Sequence, residues 1–279
     1  MDGTPYEDLL QEDARWAFGT GFTDPLQGFD TAVPAGADAL AEYCLMLGDD
    51  ALIHSHRLQQ WLTRLPELEE ETAVANVALD LLGQARLLLA RAAAARPELG
   101  DDDRLAMFRT VDQMRNVRLV EPPDADFAEL VGRLLIVSAW RLAIFERLRS
   151  SADPVLAAIA GKGVHEVAYH RDYAARWVVR LGDGTPLSRG RMQAGLATHW
   201  PLVEEIFAAS TVIDALPGVA VDPAAVRGEV DAVLAEVLAA AGLDRPTSPP
   251  APGGRHTHHL AGILTELQGV ARAHPDATW

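Results

Sequence analysis

Two short strings carry the residues best suited to chemistry in this chain. The first is His165-Glu166-Val167-Ala168-Tyr169-His170. Glu166 and His170 are four apart, so on a helix both leave one face. A zinc hydrolase would use His-Glu-x-x-His, with the imidazoles four apart. Here they are five apart, about 140° around a helix, and that pattern fails. A carboxylate-bridged dinuclear metal centre takes Glu-x-x-His from each of two helices and one Glu from each of two others. No Glu or Asp in the chain is followed by a histidine three residues later.

The second string is Asn76-Val77-Ala78-Leu79-Asp80-Leu81-Leu82-Gly83-Gln84-Ala85-Arg86. Asp80 and Gln84 form an i, i+4 pair that can hydrogen-bond. Gln84 is a poor iron ligand and Leu81 is none. With Asp49 or Asp50 as a further carboxylate, the fullest metal set is Asp49, Asp80, Glu166 and His170, which has one imidazole and irregular spacing. The reading favoured is buried polar pairing, Glu166 with His170 and Asp80 with Gln84, and no metal. His54 and His56 are two apart and diverge on a helix, so they read as solvated or interfacial. His256, His258 and His259 follow a glycine-rich stretch whose composition permits metal binding. A hydrogen-bonded loop–helix junction is the reading favoured there. Cys44 shares an apolar face with Leu40, Leu47 and Ala51 and reads as packing. There is no Gly-x-Ser-x-Gly string and no phosphate loop.

Helices must position these groups. Apolar residues recur at three-and-four spacing from Leu40 through Tyr43, Leu47, Ala51, Leu58 and Leu62, until Pro66. The periodicity predicts long helices over 38–65, 67–95, 125–150 and 154–181. A shorter one is predicted over 102–117. Another runs from Pro186 through Phe207, bent at Pro201. Asp153-Pro154 and Asp222-Pro223 are start signals, the second opening a helix that ends before Gly242. Residues 244–254 read as an extended linker, and a last helix covers 260–273. No strand-period run competes. Four long helices joined by short breaks make an all-α chain, a ferritin-like helical bundle with additional C-terminal helices over 38–279. Residues 1–37 read as a weakly ordered extension.

Charge and length narrow the function classes. Lys and Arg number 24 against 40 Asp and Glu, a net charge of −16. With no basic cluster to offset it, that field disfavours nucleic acid and anionic membrane surfaces. One cysteine leaves no intramolecular disulfide and no multi-cysteine zinc site. The acidic start lacks a signal core, and the best apolar run, 130–145, is cut by Arg133 and Arg141, so no membrane span and a cytoplasmic location are expected.

Several strings resemble a known family. They are Leu47-Gly48-Asp49-Asp50, Arg57-Leu58 to Trp61, Pro66-Glu67-Leu68-Glu69 and, most specifically, Ala75 to Arg86. Glu166-x-x-Tyr169-His170, Arg176-Trp177, Arg180-Leu181-Gly182, His256-Thr257-x-His259-Leu260 and Trp279 extend the likeness from about residue 40 to the end. Together they resemble the C subunits of the bacterial 1,2-phenylacetyl-CoA epoxidase, a multicomponent monooxygenase of phenylacetate degradation. The resemblance implies a ferritin-like, metal-free structural subunit with no cofactor of its own. It implies pairing with the homologous catalytic A subunit, which carries di-iron, as a heterodimer that assembles further with the other epoxidase subunits. Placing the catalytic partner's Glu-x-x-His on this chain puts Leu81 and Gln84 at the two ligand positions. The complex so implied epoxidises the aromatic ring of phenylacetyl-CoA with O2 and electrons from a separate reductase subunit. Two other readings compete: a di-iron oxygenase with its own non-standard metal site, and a stand-alone binding module.

Overall fold

The computed structural model describes residues 36–65 and 67–277, and the expected N-terminal extension lies almost wholly outside them. Among the described residues there is no strand. The four long helices are α1 (Ala37–Gln59), α2 (Leu68–Ala95), α4 (Phe127–Leu148) and α5 (Pro154–Gly182). Around them lie α3 (Asp102–Met107), α6 (Pro186–His199), α7 (Thr211–Asp214), α8 (Arg227–Ala241) and α9 (His259–Ala273).

Local chemistry sets most boundaries. Asp126 caps α4 by accepting from the Glu129 amide at 3.0 Å, and Asp153 caps α5 through Leu156 at 2.9 Å. Such caps are worth about 1 kcal/mol each. Asp153 also meets the buried Arg91 guanidinium at 2.5 Å, tying the start of α5 to α2. Gly242 ends α8 at φ 62°, in the left-handed region where a Cβ is disfavoured. The Pro186–Phe207 stretch changes from α to a tighter 3-10 winding at Trp200, one residue before the expected bend.

Two expected helices come out shorter. The first stops at Gln59 rather than 65, because the chain turns through Thr63 at φ 71°. The predicted 102–117 helix ends at Met107, with only a 3-10 turn at Val111–Gln113 beyond it. The reason is tertiary. The amides of Arg115 and Val117 donate to the buried carboxylates of Asp49 (2.8 Å) and Asp50 (2.7 Å), and a continued helix would have used them internally.

α1 pairs with α2, and α4 with α5, as the two most extensively packed helix pairs. α2 and α5 face each other antiparallel, since Asp80 meets His170 and Gln84 meets Glu166. One contiguous apolar core fills the bundle, with Leu40, Leu88, Leu134, Phe145 and Ile159 all at or below 1% exposure. By length and composition alone α2 would suffice to cross a membrane, at a mean hydropathy of 1.4. In the fold it is a leg of the bundle, with Leu81, Ala85 and Leu88 buried against its neighbours. The outer helices close over this frame: α6 lies across α4, α8 across α4 and α5, and α9 on α3.

Candidate functional site

The midpoint of the bundle brings the two chemical strings together, but in a different pairing from the one their spacing suggests. Glu166 does not bond His170, and Asp80 does not bond Gln84. Each residue reaches across to the opposite helix instead. His170 Nε2 lies 3.0 Å from Asp80 Oδ2, and Gln84 Nε2 donates to Glu166 Oε2 at 2.9 Å. Residues four apart on a helix stack along its axis, so on two antiparallel helices they form rungs between helices. His170 and Gln84 are buried, whereas the Asp80 and Glu166 side chains retain 35% and 18% exposure. Lys162 Nζ stands 3.4 Å from the other Glu166 oxygen.

Arg141, from the middle of α4, completes the centre. Its Nε donates to Gln84 Oε1 at 2.8 Å and its Nη1 to the Leu47 carbonyl of α1 at 3.1 Å. The guanidinium carbon lies 4.5 Å from the centroid of the Phe145 ring. Gly163 of α5 makes room for that ring, because a Cβ there would fall 2.4 Å from it. Asp50 is buried nearby; burial pushes its carboxyl up to about 7, opposed by the Val117 amide and by Arg141. Burial likewise lowers the Arg141 guanidinium to about 10, with Asp50 and Glu166 pulling the other way. At neutral pH Arg141 is a cation.

Asp49 is not part of this centre. Both its oxygens are taken by the Arg109 guanidinium and one also by the Arg115 amide, away from the bundle axis. The set Asp49, Asp80, Glu166 and His170 is therefore not assembled. His54, expected at solvent or an interface, is 1% exposed, and neither ring nitrogen has a hydrogen-bond partner among the described residues. Burial first, then Arg133, His170, Arg141 and His199 around it, hold its pKa well below the usual histidine range, so it is neutral. His56, also expected at solvent or an interface, is only 12% exposed and lies 3.6 Å from exposed Glu266 of the last helix.

The C-terminal histidines serve the loop–helix junction. His256 Nδ1 lies 2.7 Å from the buried Glu121 carboxylate and Nε2 lies 3.2 Å from the Met114 carbonyl. Thr257 adds its amide to Glu121 at 2.5 Å and Asn116 its side-chain amide at 2.9 Å. The His258 and His259 rings are 3.8 Å apart, and partial burial followed by the His258 neighbour lowers the His259 pKa. Cys44 is buried, and loss of solvent pushes its thiol up, as packing requires.

Among the described residues, one group offers three metal-type donors within 4.8 Å of one another: Asp124, Glu129 and His199. Arg133 already donates to Asp124, and His199 Nε2 faces the Glu129 carbonyl at 3.0 Å. Sequence reading missed this group, whose members are separated by up to 75 positions, and it missed Arg141. Arginines at 133 and 141 inside an otherwise apolar helix were the available signal, because a charge on a buried face needs a counterpart.

A ferritin-like bundle implies a dinuclear iron centre, and these residues do not fit one. Leu81 offers no donor atom. Gln84 spends its oxygen on Arg141 and its nitrogen on Glu166. The buried Arg141 guanidinium beside Gln84 already supplies positive charge there.

Residues 26–279 match the family model described as phenylacetic acid catabolic protein. The chain is 40% identical over 246 residues to the C subunit of the 1,2-phenylacetyl-CoA epoxidase of Escherichia coli (strain K12), covering 86% of this chain and 99% of that protein.

Proposed function

Because the chain belongs to the phenylacetic acid catabolic protein family, we propose that it is the non-catalytic subunit of a phenylacetyl-CoA epoxidase, paired with the di-iron catalytic A subunit. The carrying observation is the donor set at the bundle centre. Leu81 and Gln84 stand where the family resemblance calls for Glu and His, and Gln84 is locked between Arg141 and Glu166. No step of oxygen chemistry is assigned to these residues.

A subunit without its own metal contributes by holding its partner. The outer side of α2 carries Leu68, Leu79 and Leu82 at 74%, 61% and 39% exposure, with Tyr169 of α5 at 52%. Residues 68 and 79 are eleven apart, only about 20° around a helix, so they share one side. An apolar strip of this kind supports a lasting contact with a second bundle. Obligate interfaces commonly bury more than about 2,000 Å², enough to fix the geometry of the helices that carry a partner's metal. The reading places the chain in the cytoplasm, in the ring 1,2-epoxidation step of aerobic phenylacetate catabolism.

The test is to purify the chain alone and with its catalytic partner, then measure iron and ring epoxidation. The expected outcome is no stoichiometric iron in this chain and turnover only with the partner present. Iron bound by this chain, or epoxidation without the partner, would point to the free-standing oxygenase instead.

A further inference from the structure

At the bundle centre one side chain donates to two of the other long helices and reaches the last of them through a relay. Arg141 leaves α4, bonds α2 through Gln84 and α1 through the Leu47 carbonyl, and reaches α5 through the Gln84–Glu166 bond. Three of the four long helices thus meet at one guanidinium, buried to 2% exposure, and the fourth is joined to it through Gln84. Its underside rests on Phe145, an aromatic face that favours a cation. Glu166, and Asp50 once it is ionised, favour its charged form. A buried cation in an apolar core is costly unless it is paired and hydrogen-bonded.

We propose that the Arg141 guanidinium is the resident cation of this bundle, taking at the centre the electrostatic place that metal ions take in a carboxylate-bridged site. A planar, permanently charged fork suits the task better than lysine, because it serves two acceptors at fixed angles and stacks on a ring. The proposal rests on the non-catalytic reading only in that both require a metal-free wild type. Iron in the wild type would defeat both, whereas a failed rescue in the experiment below defeats the Arg141 proposal alone.

Arg141→Ala removes the cation and leaves a space of guanidinium size. In the full chain, held with its partner if the complex is needed for solubility, the variant should lose about 10 °C in Tm. Guanidinium chloride at about 10 mM should bind the vacated space and return at least half of that loss. Sodium chloride and urea at the same concentration should not, and the wild type should respond to none of them. An Arg141→Ala chain as stable as wild type would overturn the proposal, as would equal responses to guanidinium, sodium chloride and urea. Should Arg141→Ala fail to fold, Arg141→Met is compared with Asp50→Asn/Arg141→Met. At pH 8, where Asp50 is ionised, removing both charges should recover most of the loss, and a pair no more stable than Arg141→Met alone would be decisive against it.

Discussion

Two buried polar clusters in this molecule solve the same problem in opposite ways. At the C-terminal junction the carboxylate of Glu121 receives Asn116, His256 and Thr257, while its carbonyl takes the Arg57 guanidinium at 2.8 and 2.5 Å. His256, Thr257 and Arg57 all come from segments distant in sequence, and the cluster ties the 244–258 stretch to the bundle. At the centre, Arg141 Nη2 and both ring nitrogens of His54 find no hydrogen-bond partner among the described residues. Among the described residues the junction leaves only Asn116 Oδ1 unmatched and acts as a fastener, whereas the centre leaves three buried nitrogens unmatched and is the costlier place to hold polar groups.

The largest expected effect breaks the fastener. Glu121→Ala keeps the backbone carbonyl that holds Arg57 but leaves His256, Thr257 and Asn116 without their buried carboxylate, and should cost about 3–5 kcal/mol. Hydrogen exchange should show the loss concentrated in residues 244–273, and a loss spread evenly over α1–α5 would contradict the comparison. At the centre, the next effect is one of pH. Asp50 holds its proton to about pH 7 when folded, well above its ordinary carboxylate range. Its stabilising contribution is therefore full below about pH 4 and falls away as pH rises through 7, on the order of a few kcal/mol. Unfolding free energies of wild type and Asp50→Asn should converge or cross in favour of Asn as pH rises across that window. A difference independent of pH would show that Asp50 is ionised throughout.

Packing beside Arg141 gives a third effect. Gly163→Ala drives a Cβ to 2.4 Å from the Phe145 ring and should cost about 1–3 kcal/mol in thermal unfolding. An unchanged Tm would mean that the ring under Arg141 is free to move. The smallest effect is the sharpest, because one substitution is applied to both clusters. His256→Leu removes two hydrogen bonds and should destabilise by about 1–3 kcal/mol. His54→Leu removes two orphaned ring nitrogens and should be neutral or stabilising by up to about 1 kcal/mol. Loss at both positions in denaturant titration would mean that His54 is satisfied in solution, and the contrast would fail.

The helical frame was legible in the sequence because periodicity and caps are local: α2, α4 and α5 fall within two residues of expectation at each end. What was not legible depended on partners far along the chain. The 109–117 segment abandons a helix to feed amides to Asp49 and Asp50, some 66 residues earlier. Asp80, Gln84, Glu166 and His170 were the right four residues in the wrong pairs, since spacing reports which side chains share a face but not whether they prefer each other or the helix opposite. Arg141 read as an interruption of an apolar run, and its role became visible only once Gln84, Leu47 and Phe145 stood around it.

The central claim is that this bundle carries a side-chain cation where a metal would sit. Anomalous diffraction at the iron edge, on crystals of the chain assembled with its catalytic partner, tests it most directly. The account predicts iron signal in the partner and none between α1, α2, α4 and α5 of this chain. An iron peak beside Gln84 and Glu166, with Arg141 turned away from them, would contradict it.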